Sequence, residues 1–125
     1  MRTKVFIWYS HPLFAQAIAA LLKREGMVLA GAEENPAKAL AAIADSHPDV
    51  VVTDTIVERE HPLGITEIIR TCEPVRILVL DPMAEEMRLY DGHGCAAHRL
   101  AAIVEAITAA APESDQTMAD VRQAG

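Results

Sequence analysis

The sequence lacks long hydrophobic runs, and this shortage excludes membrane classes of protein. Among its 125 residues, no stretch approaches the roughly 20 consecutive apolar residues of a membrane-spanning helix. The opening residues Met1 to Lys4 lead directly into a short strand-like segment, without the apolar run and cleavage site of a signal peptide. The sequence therefore predicts a cytoplasmic protein with no membrane contact.

Positive charge is also scarce. The chain has 11 Lys and Arg residues against 18 Asp and Glu residues, which gives a formal net charge of −7. Such a surface repels phosphate backbones, and no local cluster of Lys or Arg offsets the repulsion. Nucleic acid is therefore not an expected partner.

Cysteine is limited to Cys72 and Cys95, without paired metal-binding spacing, which fits a reducing compartment. The sequence leaves a disulfide between them open, although such a compartment disfavours it. His93, Cys95 and His98 are three potential zinc ligands, but structural zinc sites use four ligands at recurring paired spacings. We expect these residues to belong to a turn and a hairpin, with no metal bound.

Short apolar runs alternate with segments of helical periodicity along most of the chain. Proline at the first helical position and a capping Asn mark helix starts, and Gly26 marks a helix end. Residues 55–63 are charged and are expected to be irregular, and residues 112–125 are expected to form a polar tail. Strands are predicted at Lys4–Trp8, Met27–Ala32, Asp49–Asp54 and Val75–Asp81, and helices from Pro12 to about Gly26, Pro36 to Ser46, Gly64 to Cys72 and Leu100 to Ala111.

Strands separated by single helices predict a parallel sheet with helices on both faces. In such sheets, functional residues gather at the carboxyl ends of the strands. Those ends present Trp8–Tyr9–Ser10, Asp54 and Asp81, so these are the candidate site residues.

Several segments resemble the receiver domains of response regulators, especially those followed by a helix-turn-helix. The resemblance covers about residues 3–111 and implies a domain at 1–111 with the tail at 112–125. It implies an α/β fold with a doubly wound parallel sheet and the flavodoxin-like strand order 2-1-3-4-5. The segments that carry it are Ser10–Phe14, Val28–Gly31, Pro48–Asp54, Val75–Leu80 and Ile103–Ile107.

The chain departs from the receiver pattern after Asp81, where the region of the fourth helix and fifth strand is shortened. Asp91–Gly92 is a strong tight-turn signal. It predicts a hairpin that pairs Met87–Tyr90 with about Cys95–His98 and replaces the family's fourth helix.

The resemblance also defines the site positions, and most of them are altered. Receivers hold Mg²⁺ with two acids after the first strand, where this chain has Tyr9 and Ser10, whose neutral oxygens suit Mg²⁺ poorly. Asp54 occupies the phosphoacceptor position, and Asp81 replaces the switch Ser or Thr. The fifth-strand Lys has no counterpart. We expect Asp54 to be an inactive phosphoacceptor position, with no catalytic residue, metal or cofactor.

Each candidate residue has an alternative interpretation. Asp54 is most simply a strand-end carboxylate bonded to nearby backbone N–H groups, and the alternative is a carboxylate pair with Asp81 that shifts a pKa or binds a cation. Trp8 and Tyr9 are favoured as an apolar plug over a vacant pocket rather than as a ligand-stacking platform. The histidines that precede prolines predict helix starts or loop boundaries rather than an acid–base set: His11, His47 and His61.

The predicted function is that of an atypical stand-alone receiver-like signalling domain that is not an enzyme. It is expected to act by binding a protein partner or by forming a homodimer through its first and last helices. One alternative is a phosphorylation-dependent response regulator that uses Asp54 in an altered site. Another is a small-molecule binder in the crevice at the strand ends, although no Gly-rich phosphate loop follows the first strand.

Overall fold

The computed structural model describes residues 2–81, 83, 86–91 and, for the backbone alone, 94–99. The expected last helix, the polar tail and the boundary between them at residue 111 lie outside the described residues. In chain order, the described elements are β1 (Lys4–Trp8), α1 (Pro12–Arg24), β2 (Val28–Glu33), α2 (Pro36–Ser46), β3 (Val50–Asp54), α3 (Thr55–Glu60), α4 (Pro62–Cys72), β4 (Arg76–Asp81), β5 (Glu86–Asp91) and β6 (Gly94–Arg99).

The described strands form one sheet in the order β2-β1-β3-β4-β5-β6. The first four strands in this order are parallel to their neighbours and are joined by helical crossovers, as expected for alternating strands and helices. Every residue of β3 is buried, which explains its unbroken run of three valines before Thr53 and Asp54. The predicted α/β class and the strand order 2-1-3-4-5 are confirmed.

The predicted hairpin is present in the predicted register. β5 and β6 are antiparallel, with Met87 opposite His98 and Tyr90 opposite Cys95. β5 is also antiparallel to β4, so the parallel arrangement that the resemblance implies ends at β4. Only residues 82–85 separate the two strands, whereas a parallel crossover needs about a dozen residues or more.

The reversed direction of β5 decides which residues lie at each edge of the sheet. Glu86, at the start of β5, pairs with Asp81 at the carboxyl end of β4. Asp91, at the end of β5, lies beside Arg76 at the start of β4, with 3.9 Å between the Asp91 Oδ2 and Arg76 Nε atoms.

Alternating side chains of the strands build one apolar core on each face of the sheet. The face covered by α1 includes the alternate residues Val5 and Ile7 and, on the hairpin, Met87 and Leu89. The opposite face is covered by α2, α3 and α4. Its buried members are Phe6, Trp8, Ala39, Ile43, Val51, Val57, Ile65, Ile68, Cys72, Val75, Ile77 and Val79.

The helix boundaries follow the capping signals of the sequence. The His11 imidazole accepts the Leu13 N–H at 3.2 Å at the start of α1. Gly26 follows the end of that helix with a φ of 76°, in the left-handed region that glycine adopts readily. Asn35 caps α2 by accepting the Lys38 N–H at 3.1 Å. These boundaries confirm the predicted starts of α1 and α2 and the predicted role of Gly26.

The expectation that residues 55–63 are irregular is wrong. Thr55–Glu60 forms the short helix α3, and α4 begins at Pro62 rather than at Gly64. The physical reason is that Asp54 caps α3, while the His61–Pro62 step separates the two helices. In the part of the chain that the structure describes, no helix is both long and apolar enough to cross a membrane.

Candidate functional site at the carboxyl ends of the strands

Asp54 is a buried carboxylate with both of its oxygens in hydrogen bonds. It is only 6% exposed. Its Oδ1 accepts the Val57 N–H at 2.9 Å, which caps α3. Its Oδ2 accepts the Ser10 backbone N–H at 2.9 Å and the Ser10 hydroxyl at 2.7 Å. The carboxylate thus ties the end of β1, the end of β3 and the start of α3 together.

Ser10 therefore contributes hydrogen-bond donors at a position where, by the resemblance, a receiver has a metal-binding acid. These donors satisfy the buried Asp54 carboxylate within the protein, and a buried polar group is costly unless it is hydrogen-bonded. A second buried hydrogen bond keeps the strand ends aligned, because the Thr53 hydroxyl donates to the Trp8 carbonyl at 2.6 Å.

The two strands that follow β3 in the sheet carry acidic residues at the same edge. Asp54 lies opposite Leu80 in the β3–β4 register, so Asp81 is one residue further along the adjacent strand. The Asp81 carboxylate accepts the Met83 N–H at 3.1 Å. Glu86 lies opposite Asp81 on β5. The predicted placement of Asp54 and Asp81 on adjacent strands is confirmed, and the next strand contributes an acid at this edge.

A charged cluster joins α3 to the hairpin. The Arg88 guanidinium donates from two nitrogens to both carboxylate oxygens of Glu58, and the Tyr90 hydroxyl donates to the same carboxylate. The hydrogen bond to Glu58 raises the pKa of the Arg88 guanidinium above its usual value. Arg88, the basic side chain described on β5, is therefore committed to α3 rather than to Asp54.

Trp8 is part of the core rather than a cover over a pocket. Its side chain is completely buried, and its ring stacks on His61 with the centroids 5.9 Å apart. The ring also packs so closely on Gly64 that a Cβ there would lie 2.7 Å from the Trp8 Cη2 atom. Tyr9 packs on the other core, on the α1 face. The two aromatic residues therefore lie on opposite faces of the sheet and do not form the single apolar plug that the sequence predicted.

A groove of two adjoining pockets opens beside Trp8, between the start of α2 and the junction of α3 with α4. We call it the α2–α4 groove. The larger pocket has a volume of about 370 Å³, and the smaller has about 260 Å³. The two share four lining residues, namely Trp8, Pro36, Glu60 and His61. Asp54 and Asp81 line neither pocket, although Tyr9 and Ser10 border the larger one.

The described residues provide no group of three or more His, Cys, Asp or Glu side chains that could hold a metal ion. Cys72 is a free, buried thiol on α4. The side chains of His93, Cys95 and His98 lie outside the described residues. His11, His47 and His61 occur at helix caps, as predicted, and only His11 and His61 border the groove.

Sequence reasoning missed two sets of residues. The sequence contained a signal for the Glu58–Arg88–Tyr90 cluster. Side chains alternate between the two faces along β5, so Arg88 and Tyr90 lie on one face and Met87 and Leu89 on the other. The groove residues Glu34 and Glu60 had no such signal, because their meeting depends on how α2 and α3 pack.

No protein-family model matches the chain, and no curated protein is significantly similar to it. Two solved structures are similar. One is a mutant of the anti-anti-sigma factor PhyR from Bartonella quintana, and the other is the response regulator PhyR from Brucella abortus. Each has a TM-score of 0.56 and aligns with 63% of this chain, at 16% identity for the Bartonella protein and 20% for the Brucella protein.

The chain spans 33% of the length of each of these two proteins, and the low identities make the likeness one of fold. The similarity to a response regulator agrees with the resemblance seen in the sequence. Together with the sheet order and the two-sided helical layers, it shows that this chain has a receiver-like α/β fold.

Proposed function

We propose that the chain is a non-enzymatic, cytoplasmic signalling domain that acts by binding protein and is not phosphorylated on Asp54. The observation that carries the proposal is the bonding of Asp54. Both carboxylate oxygens are engaged by Ser10 and Val57, and the group is buried.

Phosphoryl transfer to an aspartate needs a free carboxylate oxygen aligned with the phosphorus atom, and cations that neutralise the developing charge. Attack by Asp54 would break its bonds to Ser10 or its cap on α3. The neighbouring strand ends carry the acids Asp81 and Glu86, which supply no positive charge to an incoming anion. Arg88, which could supply such charge, is bound to Glu58. The lack of a neutralising cation among these residues and the loss of hydrogen bonds therefore both oppose the reaction.

The test is incubation of the full chain with acetyl phosphate and Mg²⁺, followed by intact-mass measurement. We expect no gain of one phosphoryl mass, while a receiver domain with a complete acidic site, treated in parallel, gains it. A phosphoryl adduct that disappears in Asp54→Asn would refute this part of the proposal.

A similarity of fold and an exposed apolar side chain support protein binding. The fold is similar to part of a protein named as an anti-anti-sigma factor, and that name describes a protein that acts against another regulatory protein. The sequence further suggests self-association through α1 and residues 100–111, and α1 presents Leu13 with 66% of its surface exposed. Light scattering across a concentration series tests for the homodimer. A homodimer should show twice the mass of one chain, and the Leu13→Ser variant should show a lower mass. A constant monomer mass would exclude the homodimer.

A further inference from the structure

We propose that the α2–α4 groove binds a segment of a partner protein that presents basic side chains between apolar ones. The inference deepens the proposed protein-binding function and rests on it. It specifies which surface is used and the chemistry of the segment that fits.

The shape of the groove suits a short segment of chain. Its two pockets share one wall and one floor, so they form a continuous depression rather than two isolated sites. The floor is the buried Trp8 ring stacked on His61, which is held in place by the close contact with Gly64. A floor fixed in this way is already formed before binding, which limits the entropy lost on association.

The charge of the groove selects the partner. Glu34 and Glu60 line the larger pocket, and no Lys or Arg lines either pocket. Both glutamates are exposed, and neither carboxylate takes part in a hydrogen bond or ion pair with the described residues. Lys38 is the basic residue nearest to Glu34 in the sequence and Arg59 directly precedes Glu60, but neither of them lines a pocket of the groove. Together with the formal charge of −7, this arrangement favours a cationic segment over a second copy of the chain as the occupant of the groove.

Apolar side chains at the edge of the groove favour a peptide over a small cation. Leu63 is 82% exposed beside the smaller pocket, and Ile56 is 43% exposed beside the larger one. Pro36 and Leu40 extend the apolar wall along α2. A small cation would leave this surface in water, whereas a segment with alternating apolar and basic residues would cover it and also reach the two glutamates.

The probe is the peptide acetyl-Leu-Arg-Leu-Leu-Arg-amide, titrated into the full chain. Binding is followed by amide chemical shifts in ¹⁵N spectra and by the emission of Trp8, which is the single tryptophan of the chain. We expect shifts concentrated on the groove residues and a Kd that increases as salt is added, because exposed charge pairs are screened. The peptide with Glu in place of each Arg should not bind.

The decisive variant is Glu34→Gln/Glu60→Gln, which removes both carboxylates and keeps the side-chain shape. We expect its Kd for the cationic peptide to be about threefold to tenfold higher, the effect of losing two exposed charge pairs. The matched control is Glu25→Gln/Asp45→Asn, which makes the same change in net charge at exposed positions outside the groove. Its Kd should equal that of the unmodified chain, and circular dichroism verifies that both variants fold.

Three outcomes would overturn the inference. The first is an unchanged Kd in the groove variant or an equal loss in the control. The second is binding of the acidic peptide, or no binding of the basic one. The third is saturation of the same shifts by arginine amide at the Kd of the peptide, which would make the groove a small-cation site. A phosphoryl adduct on Asp54 would instead refute the proposed function, whatever the peptide titration shows.

Discussion

Replacing Asp54 with Ala should lower the free energy of unfolding by about 3 kcal/mol. Loss of the α3 cap, in which Oδ1 accepts the Val57 N–H, costs about 1 kcal/mol. Loss of the two Ser10 donors to a charged acceptor adds about 2 kcal/mol, less than two such bonds contribute at full strength, because Ser10 is half-buried and water can replace part of the bonding.

Urea unfolding followed by circular dichroism measures this loss. With a slope of about 1.5 kcal/mol per molar urea, the midpoint of Asp54→Ala should fall by about 2 M. Asp54→Asn should lose less, about 2 kcal/mol, because its amide oxygen can still cap α3 while its NH₂ group faces the Ser10 donors. The control is Asp45→Ala on the exposed side of α2, which should stay within about 0.5 kcal/mol of the unmodified chain.

The opposite result has a clear meaning. Functional carboxylates are often held at a cost in stability, so that their removal is neutral or stabilising. If Asp54→Ala were as stable as the unmodified chain, or more stable, the carboxylate would not be a structural acceptor of the Ser10 and Val57 donors. The argument that its bonding prevents phosphorylation would then be refuted.

Two further substitutions test the contacts around the groove and the hairpin. Glu58→Gln removes the carboxylate that accepts hydrogen bonds from Arg88 and Tyr90. It should lower the free energy of unfolding in urea by about 1–2 kcal/mol and speed hydrogen exchange in the hairpin. A change below about 0.5 kcal/mol would contradict a stabilising cluster. Gly64→Ala forces a Cβ against Trp8, so it should lower the free energy of unfolding by about 1–3 kcal/mol and alter the Trp8 emission. Unchanged emission and stability would mean that the floor of the groove is loosely packed.

The sequence predicted the parts of the fold that depend on local signals. Proline after a capping residue placed the start of α2, and Asp91–Gly92 placed the hairpin and its register. α3 was missed because it has a single buried residue, Val57, among charged ones, so its periodicity is weak. The one usable signal was the expected bonding of Asp54 to nearby backbone N–H groups, which in the structure is the cap of α3.

The site was less predictable because its contacts join distant parts of the chain. Ser10 and Asp54 are 44 positions apart, and Glu58 and Arg88 are 30 apart. A local pattern cannot specify such pairs, because they depend on strand order and on which face each strand presents. The resemblance placed Ser10 beside Asp54, but it could not show that the two would bond to each other in place of a metal.

The reversed direction of β5 also limits how this protein could change in evolution. A parallel strand at this position would end at the edge of the sheet that holds Asp54 and Asp81. In this chain the strand ends at the far edge of the sheet, at Asp91 next to Arg76. A parallel fifth strand would therefore require an inserted crossover and a strand that runs the other way, which point mutation alone does not supply.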